Sequence, residues 1–224
     1  MGLTLDRDGA QLFPNLVNGE LLRELDVILS VRPRGAGVRI SNDPKLYDWI
    51  FHLSSLGDLA RSLRGAQAQS VRAILFDKSD EANWVLGWHQ DRTIAVRERI
   101  EVEGYGNWTL KAGTTHVEPP FAILDRMITM RVHLDDVNAE NAPLLIVPGS
   151  HRLGRVAEGE IDGVVEAADT LACLASAGDV WIYATAILHA SEASRQPTHR
   201  RVLQIDFSAE QLPDGLQWMG IGLV

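Results

Sequence analysis

The chain has 224 residues, 46% of them hydrophobic and 23% charged, which is typical of a globular protein with a substantial core. Its formal net charge of −9 argues against nonspecific nucleic-acid binding, which needs clustered Lys and Arg side chains. The single cysteine, Cys173, excludes a disulfide within the chain, and its apolar neighbours predict a buried thiol. No apolar run approaches the ~18 residues of a membrane span, and the first residues lack a signal-peptide pattern. We therefore expect a cytoplasmic protein that does not bind membranes.

Residues 1–65 are predicted to be mainly helical. Asn18 is suited to cap a helix, and an Asp-Pro pair at positions 43–44 predicts the start of a second one. A third helical segment, residues 56–63, is expected to end at Gly65. Apolar residues recur at helical spacing after the first cap: Leu21, Leu22, Leu25, Ile28 and Leu29.

After Gly65 the apolar pattern changes to short runs typical of β-strands, separated by turn residues. The predicted strands are Ser70–Phe76, Trp84–Leu86, Ile94–Val102, Ile128–Leu134, Leu144–Val147, Val180–Tyr183 and Val202–Phe207. Many short strands without intervening helices indicate an antiparallel barrel or a double-sheet jelly roll. We expect one domain over residues 1–224: a mainly β core at 66–210 with the N-terminal helices flanking one sheet.

Residues 104–120 are rich in Gly and Thr and are long for a hairpin connection. Such a length suits a binding loop or lid, and it suits a surface excursion equally well.

The segment Gly87-Trp-His-Gln-Asp91 combines an imidazole and a carboxylate. Residues two apart on a strand share a face, so His89 and Asp91 are predicted to project side by side. Together they could supply two ligands to a metal, and a distant histidine would complete a facial triad. Because a surface strand can carry the same pattern by chance, the motif alone leaves both readings open.

The C-terminal part of the chain supplies candidates for completing such a site. His189 follows an apolar stretch, which suits either a metal ligand or a histidine satisfied within the core. Arg200 precedes a strand in which Leu203, Ile205 and Phe207 share one face. If that face packs under the helices, Arg200 points into the barrel, where a guanidinium needs an anion such as a carboxylate.

Six elements of the sequence carry a resemblance to a known family: WHQD at 88–91, LDD at 134–136, NAPLLIVPGSH at 141–151, GDVWIY at 178–183, HAS at 189–191 and Arg200. In this order, over about residues 70–208, the chain resembles the phytanoyl-CoA dioxygenase family of iron(II)- and 2-oxoglutarate-dependent oxygenases. The resemblance implies a double-stranded β-helix, which is a cupin-like jelly roll.

The same resemblance implies roles for particular residues. His89, Asp91 and His189 are the implied iron ligands. Arg200, helped by Ser191, is the implied binding site for the distal carboxylate of 2-oxoglutarate. Iron(II), 2-oxoglutarate and O2 are thus the implied cofactor and cosubstrates.

Two further basic residues are candidates for the site. Lys78 stands where relatives often have a lysine that faces the site. Arg131 stands where relatives often carry Trp or another large residue, on a strand expected to line the cavity. It could bind the inner carboxylate of the cosubstrate or an anionic substrate, or it could point outward into solvent. The chain also departs from the family at Asn141-Ala-Pro-Leu, where Asn-Gly-x-Leu is usual.

The remaining histidines are not needed for a complete triad. His116 and His133 could be spare ligands, and His133 would share a face with Arg131 on a regular strand. His151 is expected to brace a turn, and His199 is expected to point outward.

The leading hypothesis is therefore an iron(II)/2-oxoglutarate dioxygenase that hydroxylates a small molecule and releases succinate and CO2. Basic residues directed inward in an acidic protein favour an anionic substrate. Two alternatives stay open: another cupin-like metalloenzyme, such as a hydrolase or isomerase, and a noncatalytic jelly roll that binds a ligand. The oligomeric state is not readable from the sequence.

Overall fold

A computed structural model describes residues 2–33, 35–195 and 199–222. The helices are α1 (Leu5–Asp8), α2 (Gly19–Leu29), α3 (Pro44–Asp48), α4 (Leu56–Arg64), α5 (Phe121–Asp125) and α6 (Ile161–Glu166). A π-helical turn covers Trp49–Leu53, and 3-10 turns cover Ser150–Leu153 and Glu158–Glu160. The strands are β1 (Ala10–Phe13), β2 (Val38–Ile40), β3 (Gln69–Lys78), β4 (Leu86–His89), β5 (Ile94–Val96), β6 (Gly106–Lys111), β7 (Thr114–Glu118), β8 (Ile128–His133), β9 (Leu144–Ile146), β10 (Leu171–Cys173), β11 (Val180–Ala184), β12 (His189–Ser191) and β13 (Arg200–Ser208).

These strands form antiparallel sheets. The largest has six strands in the order β1-β11-β8-β13-β3-β2, and a second has four in the order β10-β9-β12-β4. A third sheet, β5-β7-β6, has three strands. The prediction of a mainly β jelly roll with flanking helices is confirmed.

The N-terminal helices cover one face of the six-stranded sheet, as predicted. Leu203, Ile205 and Phe207 on β13 belong to the same buried cluster as Leu25 of α2 and Trp49 of the π-helical turn. Asn18 caps α2 by accepting hydrogen bonds from the backbone N–H groups of residues 20 and 21. Asp43 caps α3 in the same way, with Pro44 as the first helical residue. The opposite face of β13 is thereby free to carry polar residues into the interior.

Several predicted boundaries are wrong. β4 begins at Leu86, the residue at which the predicted strand ended. Of the long predicted strand 94–102, only the first three residues form a strand, β5. Short segments of the mainly helical N-terminal part form β1 and β2 at the two edges of the six-stranded sheet. Strands of four and three residues are too short for a recognisable alternation, and their hydrogen bonds come from neighbours remote in sequence.

Residues 104–120 contain a β-hairpin, formed by β6 and β7. β7 also pairs with β5, which follows the metal-site candidate Asp91 in the chain. The hairpin therefore belongs to the part of the molecule that borders the candidate site, and whether it acts as a lid stays a prediction.

Two smaller expectations concern burial and membranes. Cys173 is buried, and its burial raises the pKa of the thiol to about 12, as expected for a small apolar side chain rather than a nucleophile. Within the described residues, no helix combines the length and the apolar character needed to cross a bilayer.

Replacing Phe207 tests the packing of the helices on the sheet. Its side chain is fully buried and contacts the Phe51 ring edge-on, with ring centroids 6.2 Å apart. We expect Phe207→Ala to lower the free energy of unfolding by about 3–5 kcal/mol, because transfer and cavity costs add. Denaturant unfolding of the metal-free protein measures the change. Leu110→Ala, at a side chain that is 73% exposed, is the control and should change little; a loss at Phe207 below about 1 kcal/mol would contradict this packing.

Candidate metal and cosubstrate site

Strand pairing brings together two histidines that are remote in the sequence. β12 pairs with β4 so that His189 and His89 are direct partners, and their ring centroids lie 4.2 Å apart. The ligand atoms of His89, Asp91 and His189 all lie within 4.8 Å of one another. Such a spacing allows one ion to contact all three groups, and two imidazoles with one carboxylate are a donor set suited to iron(II).

Both imidazoles are held by backbone carbonyls. Nδ1 of His89 lies 2.7 Å from the Gly87 carbonyl oxygen, and Nδ1 of His189 lies 3.0 Å from that of Ile187. If Nδ1–H donates in each case, Nε2 is left as the metal-binding nitrogen. Burial and the neighbouring His89 ring lower the pKa of His189 to about 4, which keeps this imidazole neutral near pH 7.

Asp91 is stabilised as a carboxylate by a buried arginine. Arg72 donates to Asp91 at 3.0 Å and also pairs with Asp206 on β13. Burial alone would raise the pKa of Asp91, but the charge of Arg72 and its hydrogen bond contribute to the opposite effect, and the pKa falls to about 2. The carboxylate is therefore ionised and oriented before any metal binds.

The predicted geometry of the His-x-Asp segment needs a correction. β4 ends at His89, so Asp91 lies beyond the strand and not on its face. Gln90 does turn away from the site: its side chain donates to the carbonyls of Gly154 and Ala186 and accepts from the Val156 N–H. The anchored glutamine, rather than strand alternation, places its two neighbours together.

The three candidate ligands line a cavity of about 700 Å³ that both large sheets border. Ser191 and Leu144 of the four-stranded sheet contribute to its wall, as do Arg131 and Arg200 of the six-stranded sheet. The interior-facing direction predicted for Arg200 is confirmed, and the outward alternative for Arg131 is wrong.

Arg200 and Arg131 are buried cations without a carboxylate partner among the described residues. Arg200 donates to the Ala142 carbonyl, and Arg131 donates to Gln204 at 2.9 Å. The Nε of each guanidinium is buried without a hydrogen-bond partner in the described structure. Burial, together with the charge of Arg131, lowers the pKa of Arg200 to about 9. Such a pair is costly unless an anion joins it, and a dicarboxylate fits this requirement.

Lys78 lies beside this pair, since it is the direct partner of Arg200 in the β3–β13 ladder. Its ammonium group donates to the carbonyls of Trp84 and Glu192 and, at 3.2 Å, to the Ser191 hydroxyl. A lysine has three donors, so these contacts use all of them. Lys78 therefore acts on the cavity through Ser191, whose own O–H stays available to donate to an anion.

The buried ammonium makes a pH dependence of stability testable. Burial, followed by the charges of Arg200 and Arg131, lowers the pKa of Lys78 to about 8. Between pH ~8 and its ordinary value of ~10.4, the unfolded chain binds more protons at this position than the folded chain does. The free energy of unfolding should therefore rise with pH over this window, relative to Lys78→Met.

Urea denaturation of the metal-free proteins, from about pH 7 to about pH 10, measures this difference. Lys45→Met, at an exposed lysine of α3, is the control and should stay parallel to the wild type. A constant difference between wild type and Lys78→Met across the window would contradict the lowered pKa.

Sequence reasoning missed a chain of buried polar contacts that links the arginine side of the cavity to the metal-ligand candidate Asp91. From Arg131 the contacts pass through Gln204 to Asp206, then through Arg72 to Asp91. The alternation of β3 could have revealed Arg72, which lies six residues before Lys78 and therefore shares its face. No local signal showed that Arg72 would meet Asp206, because the two lie 134 residues apart.

The other histidines lie outside the triad. His116 and His133 are buried, and burial lowers their pKa values to about 4 and about 3. The positive charges of Arg131 and Arg200 lower that of His133 further. The register of β8 is regular between residues 131 and 133, so His133 and Arg131 share a face, as expected. His199 is half-exposed and contacts Asp77 at 3.0 Å, on the outer side of the sheet. The ring of His151 packs over Gly9, and this close approach is possible because glycine has no Cβ.

The fold and this arrangement define a jelly-roll protein with a two-histidine, one-carboxylate centre next to a cationic cavity. Residues 36–202 match the sequence profile of the phytanoyl-CoA dioxygenase family. The chain belongs to this family, and the resemblance seen in its motifs is confirmed. A comparison with curated proteins finds no match.

Solved structures show the same fold at low sequence identity. AviO1 from Streptomyces viridochromogenes Tue57 is 18% identical, with 94% of each chain covered and a TM-score of 0.64. HygX from Streptomyces hygroscopicus, solved with nickel and 2-oxoglutarate bound, is 14% identical over 91% of this chain and 84% of its own, with a TM-score of 0.61. EctD from S. alaskensis, solved with 2-oxoglutarate and 5-hydroxyectoine, is 18% identical over 91% of this chain and 73% of its own, with a TM-score of 0.67.

Proposed function

We propose that this protein is an iron(II)- and 2-oxoglutarate-dependent oxygenase that hydroxylates a small organic anion. One observation carries the proposal: a complete His-Asp-His ligand set opens onto a cavity with two buried arginines that lack carboxylate partners among the described residues. Family membership supports it, as do the ligands in the HygX and EctD structures.

In this proposal His89, Asp91 and His189 hold the iron. The bound metal supplies the oxidising chemistry that couples decarboxylation of 2-oxoglutarate to hydroxylation. Arg200 and the Ser191 hydroxyl bind the distal carboxylate of the cosubstrate, and Lys78 orients that hydroxyl. Arg131 lies one strand away and is fixed by Gln204, so it can stabilise further negative charge on the cosubstrate.

The protein's other contribution is a partly apolar wall around the reacting groups. Ile74, Phe76 and Leu144 line the cavity together with the arginines. An apolar wall limits water near the site, which strengthens each charge-assisted contact inside it.

The charge of the cavity supports an anionic substrate. The chain as a whole has more acidic than basic residues, 30 against 21. The cavity reverses this ratio, since it is lined by six Arg or Lys residues and only two acidic ones. An anion would be attracted to this site by a field that the rest of the surface does not share.

An anaerobic titration tests the cofactor part of the proposal. Iron(II) and 2-oxoglutarate added together to the folded protein should produce the weak visible charge-transfer band of the chelated metal. A screen of small organic anions for stimulated succinate release in air then tests the reaction. If folded, iron-loaded protein gives no band with 2-oxoglutarate, the proposal fails.

The alternative functions make different predictions for the same assay. A hydrolase or isomerase with this ligand set would release no succinate and would have no use for Arg200. A noncatalytic binding protein would bind ligand without consuming oxygen. A cytoplasmic location, a single domain over 1–224, and the absence of nucleic-acid and membrane partners stay predictions from the sequence.

A further inference from the structure

Two basic residues at one side of the cavity are not used by the proposed cosubstrate site. Arg39 lies on β2, the edge strand next to β3, and Lys111 is the last residue of β6. Both line the cavity, although they come from segments that are far apart in the sequence. Neither side chain forms an ion pair with a described carboxylate.

These residues lie at a distance from the arginines assigned to 2-oxoglutarate. β2 is separated from β8, which carries Arg131, by β3 and β13. Three strand spacings correspond to about 14 Å between the backbones. A five-carbon diacid contains four C–C bonds of about 1.5 Å and spans much less than that. A cosubstrate bound at Arg131 is therefore too short to span the distance from β8 to β2, the strand that carries Arg39.

The neighbouring charges are already compensated. Arg72 pairs with Asp91 and Asp206, and Arg92 pairs with Glu158. Arg39 has no such partner: its Nε is buried without a hydrogen bond, and its side chain makes no hydrogen bond with any described residue. The Lys111 ammonium makes one hydrogen bond within the described structure, to the Thr93 hydroxyl at 3.3 Å.

The two side chains are also electrostatic neighbours. Burial and the charge of Arg72 lower the pKa of Arg39; burial, Arg72 and Arg39 also lower the pKa of Lys111, although the charge of Asp91 partly opposes them. Arg39 is partly exposed and Lys111 is exposed, and both line one cavity without an ion-pair partner among the described residues, so their like charges are not compensated. An Arg fork and a Lys ammonium together suit a carboxylate or a phosphate group.

We infer that Arg39 and Lys111 form a second anion site, which binds the carboxylate or phosphate group of the primary substrate. The inference rests on the proposed function, because it takes the other anion site to be that of 2-oxoglutarate. It assigns the substrate to small organic anions held at the side of the cavity formed by β2 and the β6–β7 hairpin.

The test measures binding of inorganic phosphate and of acetate by calorimetry, at constant ionic strength and without oxygen. The protein carries iron(II) and saturating 2-oxoglutarate, so that the Arg200–Arg131 site is filled. Arg39→Gln/Lys111→Gln is compared with Arg23→Gln/Lys45→Gln, which makes the same change of charge at exposed positions on α2 and α3. Wild type and control should bind one of the two probes, and the site variant should bind it about tenfold more weakly or worse.

The two probes separate the possible substrate groups. Tighter binding of phosphate than of acetate indicates a phosphorylated substrate, and the reverse order indicates a carboxylate. Equal binding by the site variant and the control overturns the inference, as does the absence of saturable binding of either probe to the wild type. If the site variant loses as much affinity for 2-oxoglutarate as it loses for the probe, the inference is also overturned, because the residues would then belong to the cosubstrate site.

Failure of the proposed function gives a different result. If wild-type protein with iron(II) shows no 2-oxoglutarate band, the oxygenase proposal is wrong. The phosphate and acetate titrations are then made on metal-free protein. If the site variant binds the probe more weakly than its control in this metal-free titration, the anion site is still supported. If the two variants bind the probe equally, the anion site is contradicted.

Discussion

His189→Ala is expected to weaken iron(II) binding by more than about 100-fold and to abolish 2-oxoglutarate-dependent succinate release. Loss of an outer partner of a metal site already costs about 10–100-fold, and this change removes one of three direct ligands. The remaining groups, His89 and Asp91, leave the ion too weakly held to stay bound during turnover. Anaerobic titration with iron(II) measures the binding, followed by the visible band that appears when 2-oxoglutarate is added.

His116→Gln is the matched control for this change. His116 is also a buried histidine whose Nε2 has no hydrogen-bond partner among the described residues, but it lies on β7 and outside the ligand set. The His116→Gln protein should bind iron(II) as tightly as the wild type does. Circular dichroism should show that the His116→Gln and His189→Ala proteins are both folded. Wild-type iron affinity in a folded His189→Ala protein would contradict the assignment of the site.

Arg200→Ala is expected to weaken 2-oxoglutarate binding by more than about 100-fold while iron binding changes by no more than a few-fold. A bidentate contact between a buried guanidinium and a carboxylate contains two charge-assisted hydrogen bonds, which are worth about 1.5–3 kcal/mol each. Alanine removes both, whereas Arg200→Lys keeps a charge but loses the planar fork and should recover only part of the affinity. The dependence of the visible band on 2-oxoglutarate concentration gives the dissociation constant.

Arg97→Ala is the control, because Arg97 is exposed and contacts Gln217 away from the cavity. It should match the wild type in both titrations. Unchanged 2-oxoglutarate affinity in Arg200→Ala would show that another residue binds the distal carboxylate. An equal loss of iron and cosubstrate binding would instead show that Arg200 supports the metal centre.

The contacts around Asp91 explain how these two effects can be separate. Arg72 holds the carboxylate ligand from β3, whereas Arg200 is anchored to the Ala142 carbonyl at the other end of the cavity. The polar chain through Gln204 and Asp206 begins at Arg131 and does not include Arg200. Removal of Arg200 therefore leaves the ligands of the metal in place.

Much of the fold follows from local patterns in the sequence. The alternation in β13 places Leu203, Ile205 and Phe207 under the helices and directs Arg200 inward, because successive side chains on a strand point to opposite faces. Caps at Asn18 and Asp43 mark the starts of α2 and α3 for a similarly local reason, since a side chain satisfies nearby backbone N–H groups. The family also follows from short motifs in a fixed order, and the profile match confirms it.

The tertiary structure decided what depends on partners remote in the chain. β2 and β12 have three residues each and exist through pairing with β3, β4 and β9, which no local periodicity encodes. The pairing of β12 with β4 brings His189 to His89, and the pairing of β13 with β3 brings Arg72 to Asp206. The pairing of β2 with β3 leaves Arg39 facing the cavity from an edge strand. The sequence by itself thus determined the class of fold and the candidate chemistry, because periodicity and motifs are short-range. Which charges are compensated in the cavity, and which are left to bind a ligand, depends on packing between distant segments and became visible only in three dimensions.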